Sequence, residues 1–147
     1  MPQSQSKLTT VAPRVRYKVL LVDDDVSVLR GLSAALEFEL HVEVCNSAQR
    51  ALELLREREF HVVCSDYSMP GMNGLELFAQ VAKLPTPVPC LLLSGASSFI
   101  GRSVPAEHYV LMKPVDPARL STLLVQLAKT ALLKRQARST FLKVGSG

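Results

Sequence analysis

Five short aliphatic runs, each broken off by a polar or charged residue, alternate with stretches of helical periodicity. This alternation constrains the fold more than any other feature. Tyr17–Val22 (YKVLLV) ends at Asp23-Asp24-Asp25, and Phe60–Ser65 (FHVVCS) stops at Asp66. Cys90–Leu93 closes on Ser94-Gly95, and Tyr109–Met112 ends at Lys113-Pro114. His41–Cys45 (HVEVC) is weaker and belongs near a sheet edge. Runs that are apolar on successive residues suit strands buried on both faces. Between them Val28, Leu29, Leu32, Ala35 and Leu36 recur at three and four, the spacing of a helix face. Ser47 can cap a second helix, Asn73 with Glu76 resembles a capping box, and Asp116-Pro117 opens a last helix striped with Leu120, Leu124 and Leu127. Strand and helix in strict alternation predict an α/β fold, a parallel sheet with helices on both faces.

The chain has 147 residues, of which 48% are hydrophobic and 20% charged, so it can bury a self-sufficient core. Residues 17–133 form the expected domain. Residues 1–16, polar and without periodicity, read as a flexible arm, and 134–147 as a basic tail or the start of a linker. No apolar run approaches a membrane span and residues 1–16 lack a signal-peptide block, which predicts a soluble, cytoplasmic protein. The formal charge of +4 is concentrated at the ends, but no aromatic residues alternate with the cations as on a base-stacking surface. Cys45, Cys64 and Cys90 each lie in an apolar run without CxxC spacing, as inert buried thiols do.

In parallel sheets ligands gather beyond the carboxyl ends of the strands. That rule brings Asp23, Asp24, Asp25, Asp66, Ser94 and Lys113 to one edge although they are far apart in sequence. Taken singly, the acids could cap a helix or start a turn, and Lys113-Pro114 could be surface punctuation. Together, after four different strands, they describe a pocket. Crowded carboxylates repel one another unless a cation intervenes, and an oxygen-only donor set favours Mg²⁺. Asp23, Asp24 and Asp66 supply about −3 against about +3 from Mg²⁺ and Lys113, a near-neutral site able to accept a phosphoryl group. The loop Ser68-Met69-Pro70-Gly71 leaves a backbone carbonyl free beside Asp66.

The segments VLLVDDD (Val19–Asp25), VVCSDYSMPGMNGLEL (Val62–Leu77), LLLSG (Leu91–Gly95) and MKP (Met112–Pro114) together resemble the receiver domain of two-component response regulators. The resemblance implies a flavodoxin-like sandwich of five strands in the order 2-1-3-4-5. It also implies Mg-dependent phosphoryl transfer from a sensor histidine kinase, or a phosphotransfer protein, onto Asp66. Carried over by position, Asp24 and Asp66 bind Mg²⁺ directly, Asp23 acts largely through water, and the Ser68 carbonyl completes the set. Ser94 would bond the phosphoryl oxygen and Lys113 would pair with it. The Lys113–Pro114 bond is cis in such domains. The chain is then a signalling domain rather than an enzyme, apart from catalysing its own phosphorylation and a slow autodephosphorylation.

Two departures bear on output. Ser94 to Lys113 is a shortened interval whose SSFIGRSVPAEH lacks a helical stripe, so the fourth helix is expected to be short, distorted or absent. The position three before the lysine, where relatives carry an aromatic switch residue, is Val110, with Tyr109 one step earlier. A haloacid-dehalogenase-like phosphatase using Asp23 and Asp25 is the alternative chemistry, but the later acidic pair it needs is missing. A pseudo-receiver without phosphorylation is the alternative binding module, although all five site residues are retained. No GxGxxG or GxxxxGK[ST] follows the first strand. The tail KRQARSTFLKVGSG is too short for a helix-turn-helix, so direct DNA binding is not expected. Output is expected through a downstream protein target or a C-terminal effector domain beyond this chain. The basic last helix also leaves a homodimer open.

Overall fold

The computed structural model describes residues 15–95 and 108–146, with residues 141–146 by backbone alone. The elements follow the sequence pattern. They are β1 (Lys18–Val22), α1 (Val26–Leu36), β2 (His41–Cys45), α2 (Ala48–Glu57), β3 (Val62–Asp66), α3 (Gly74–Val81), β4 (Cys90–Ser94), β5 (Tyr109–Met112) and α4 (Pro117–Ser146). All strand pairs are parallel and the order is β2-β1-β3-β4-β5, the flavodoxin-like arrangement.

Successive side chains of a strand face opposite ways, so each apolar run feeds two cores. Leu20, Val22, Val63 and Leu92 pack under Ala51, Leu52, Leu77 and Phe78 of α2 and α3. Val19, Leu21, Cys64, Leu91 and Leu93 pack under Leu29 and Leu36 of α1 and Leu120 and Leu124 of α4. Full burial of each of these aliphatic side chains stabilises the fold by roughly 1.5–3 kcal/mol. The three cysteines are free and buried.

The helix starts are local chemistry. The Asp25 carboxylate accepts from the amides of Ser27 and Val28, and the Ser47 hydroxyl from Arg50 N–H. Asn73 and Glu76 form a reciprocal capping box, and Asp116 Oδ1 accepts from Ala118 N–H. Each such cap stabilises its helix by about 1 kcal/mol. Arg16, at the end of the expected arm, donates to the carbonyls of Glu37 and Leu40 and so closes the end of α1.

The fourth helix expected between Ser94 and Lys113, and the arm as far as Arg14, lie outside the described residues. The last helix runs from Pro117 to Ser146 and so takes in most of the 134–147 segment read as a basic tail or the start of a linker; no Pro or Gly interrupts the chain from Ala118 to Val144. Among the described residues no helix is long and apolar enough to cross a membrane.

Candidate functional site

Parallel pairing aligns the ends of β1, β3, β4 and β5 at one edge of the sheet. Asp23, the first residue after β1, is buried, and its amide donates to Cys45 O at the end of β2. Its Oδ1 accepts from Asp25 N–H at 2.9 Å, whereas its Oδ2 is buried with no hydrogen-bond partner. Burial pushes the Asp23 carboxyl above its ordinary pKa; the Asp25 amide opposes this, and the charge of Asp66 adds to it.

Asp66, the last residue of β3, is 7% exposed. Carboxylate oxygens of Asp23, Asp24 and Asp66 all lie within 4.8 Å of one another. Lys113 follows β5, and its Nζ lies 2.7 Å from Asp66 Oδ1. Partial burial disfavours the ammonium, but the Asp66 hydrogen bond and the charges of Asp66, Asp23 and Asp24 outweigh it and raise the Lys113 pKa. Lys113 N–H donates to Ser94 O at 2.7 Å, and the Lys113–Pro114 bond is cis.

The sequence-derived residues divide accordingly. Asp23, Asp24, Asp66 and Lys113 converge through their side chains. Ser94 is adjacent through its backbone, but its buried hydroxyl is turned to its neighbour's carbonyl, Gly95 O, at 3.0 Å. Ser68 is exposed in the loop after β3. Asp25 is not part of the cluster, because its carboxylate is spent on capping α1. On the edge strand β5, Val110 packs toward the core under α2 and α3, while Tyr109 is 52% exposed beside α4.

Two residues that shape this edge were not singled out in the sequence. Gly74 opens α3 so close to β3 that a Cβ there would stand 2.6 Å from Asp66 O and 2.5 Å from Leu92 Cδ1. Its signal was a glycine in the first turn of an otherwise good helix, which usually has a packing reason. Ser65 is fully buried and donates from Oγ to Asp66 O at 2.9 Å. A hydroxyl inside an aliphatic strand was the clue. Gly71, with φ of 77°, turns the intervening loop in a conformation that other residues rarely adopt.

The donor set is wholly oxygen, and one of its members, Asp23, carries an orphaned buried acceptor, Oδ2. Three carboxylates and one ammonium leave about −2, which a hard divalent cation would neutralise. The residues present therefore fit such an ion.

The chain's relatives share this architecture. The family model for the response regulator receiver domain matches residues 19–125. The two-component response regulator ARR14 of Arabidopsis thaliana is 35% identical over 131 residues, covering 84% of this chain and 34% of that protein. The transcriptional regulatory protein YesN of Bacillus subtilis is 34% identical over 128 residues, covering 82% and 34%. The chain thus spans about a third of the length of these curated relatives. The chemotaxis response regulator CheY4 of Vibrio cholerae superposes with a TM-score of 0.67 at 28% identity, over 77% of this chain and 99% of that one. A CheY-like receiver domain from Methanospirillum hungatei gives 0.69 at 26% identity, over 82% and 99%. With a family match over residues 19–125, curated relatives above 30% identity and the fold of solved CheY-like domains, the chain belongs to the response regulator receiver domains of two-component signalling.

Proposed function

We propose that Asp66 is the phosphoacceptor of a Mg²⁺-dependent switch that takes its phosphoryl group from a histidine kinase or phosphotransfer protein. One observation carries this reading: Lys113 pairs with Asp66 Oδ1 in a cluster where carboxylate oxygens of Asp23, Asp24 and Asp66 lie within 4.8 Å of one another and Asp23 keeps a buried oxygen without a hydrogen-bond partner. Asp23, Asp24, Asp66 and the Ser68 carbonyl would hold the ion, which when bound neutralises charge on the transferring oxygens.

The remaining chemistry belongs to the chain. An Asp66 carboxylate oxygen attacks phosphorus, the new O–P bond forms as the P–N bond to histidine breaks, and the imidazole leaves with a solvent proton. Lys113 then transfers its pairing from the carboxylate to a phosphoryl oxygen. The Ser94 hydroxyl exchanges Gly95 O for a second phosphoryl oxygen, which couples the phosphorylation state to the backbone after β4. Slow loss of phosphate follows when water attacks the same phosphorus. Signal output runs through a protein partner or through effector segments of a longer chain. The phosphatase alternative loses its general acid, because Asp25 caps α1 and stands outside the cluster.

Intact-mass measurement after treatment with acetyl phosphate and Mg²⁺ tests this reading. The wild type gains one phosphoryl mass and Asp66→Asn gains none. Equal labelling of both proteins, or label on Asp23, would overturn it.

A further inference from the structure

We propose that the groove between the 85–89 segment and the basic side of α4 docks an acidic, extended segment of a partner protein. Residues 117–146 carry six of the chain's 17 Lys and Arg and none of its 13 acids. Lys134, Arg135 and Arg138 form one wall of a groove of about 540 Å³, and the three prolines and Val88 of the 85–89 segment form the other. A smaller hollow of about 260 Å³ adjoins it, shares Thr86, Val88 and Arg135, and adds the Phe60 ring. Arg58, also there, is already paired with Glu43, and Glu59 is the one acid lining either hollow. The groove therefore presents an apolar wall facing cations that form no ion pair among the described residues.

That combination suits a peptide. Apolar side chains can rest on the prolines and Val88 while alternate carboxylates reach the three cations, whose charge steers the encounter. Duplex DNA, a convex partner, would meet a recess walled by prolines that offer no amide donors, and no aromatic residue lines the main groove for stacking on single strands. A membrane surface needs an apolar helix face, whereas the stretch Lys134–Arg138 (KRQAR), exposed except at half-buried Arg135, is polar. The groove lies at the amino ends of the strands, since Pro89 precedes β4 and Asp66 closes β3. One strand length, roughly 15 Å, separates it from the phosphoacceptor edge, so an occupant leaves that edge accessible.

Fluorescence anisotropy tests this with a labelled peptide of about ten residues containing Glu and Leu in alternation, in about 0.1 M salt. The wild type binds it saturably. The same peptide with Gln for every Glu binds at least about tenfold more weakly, and so does the Glu peptide to the Lys134→Glu/Arg138→Glu protein. Pro87→Glu, on the opposite exposed wall, produces the same loss independently. Both variants keep the wild-type circular dichroism and still gain a phosphoryl mass, which separates this site from Asp66. Failure of the peptide to saturate, or binding unchanged by the charge reversals, would overturn the proposal. So would tighter binding of a DNA duplex or of phosphatidylserine vesicles than of the peptide.

Discussion

Lys113 Nζ lies 2.7 Å from Asp66 Oδ1, so a single ion pair joins the end of β5 to the end of β3 across the intervening β4. The two residues are far apart in sequence and meet only because β3, β4 and β5 pair in parallel register. Among the described residues, Lys113 is the cation that faces the three clustered carboxylates at that edge.

Lys113→Ala should therefore weaken the metal-free protein. In EDTA its Tm should fall by roughly 2–4 °C, about 1 kcal/mol for a pair of a buried carboxylate with a partly exposed lysine that solvent screens in part. Mg²⁺ should raise the melting temperature of the variant more than that of the wild type. An equal rise in both would contradict the charge balance assigned to the site.

Asp23→Asn should do the opposite in EDTA. The amide oxygen can keep the bond from Asp25 N–H while the charge made costly by burial and by Asp66 is removed. A gain on the order of 1 kcal/mol in urea unfolding is expected without Mg²⁺, together with loss of Mg²⁺-dependent stabilisation. A variant less stable than the wild type in EDTA would show that Asp23 is not strained by its burial.

Gly74→Ala should destabilise by about 1–3 kcal/mol, because a Cβ would overlap the Asp66 carbonyl, which is fixed backbone, as well as the tip of Leu92. Moving α3 away would also shift Asp66, so phosphorylation by acetyl phosphate should slow. Wild-type urea midpoints with slowed phosphorylation would mean that the packing contact is relieved without cost.

His61 should make stability fall on acidification. Burial lowers its pKa below the ordinary 6.5, and its Nδ1 accepts the Lys18 amide at 2.8 Å, which only the neutral ring can do. The unfolded chain therefore takes up a proton first as pH falls through 6.5. The stabilisation is complete above that value and is lost below it, toward the folded-state pKa. The stability difference between wild type and His61→Gln should shrink between pH 7.5 and pH 5, as read from urea midpoints; a constant difference would exclude the linkage.

The cysteines should be silent in the native protein. Burial pushes the Cys45 thiol up to about 11 and the Cys90 thiol up to about 12, and raises fully buried Cys64 further still. An aromatic disulfide reagent at pH 8 should label none of the three in buffer and all three in guanidinium. Rapid native labelling of Cys45 would show that the β2 edge opens.

Much of this molecule is written in short-range chemistry. The aliphatic runs Val19–Val22 and Cys90–Leu93 specify strands covered on both sides, because a half-solvated strand would alternate. Asp25, Ser47, Asn73 and Asp116 cap their helices through bonds that span only two or three residues, so their spacing alone reveals them. The residues that close the strands are equally legible, since a carboxylate or lysine after an apolar run has one sheet edge to occupy.

Other features depend on distances between segments that no local spacing encodes. Register across three strands decides that Lys113 pairs with Asp66 while the Ser94 hydroxyl turns to Gly95. Helix-to-sheet packing decides that Gly74 must lack a side chain, and local turn geometry leaves Asp23 with one satisfied oxygen and one orphan. The length of α4 escaped the periodicity because its apolar stripe fades after Leu132 while nothing breaks the backbone before Val144. The sequence by itself thus determined the elements, their caps and which residues reach the working edge, all set by hydrophobic period and local hydrogen bonding. Only the tertiary structure decided which of those residues touch, because contact between them requires strands far apart in sequence to settle into a single register.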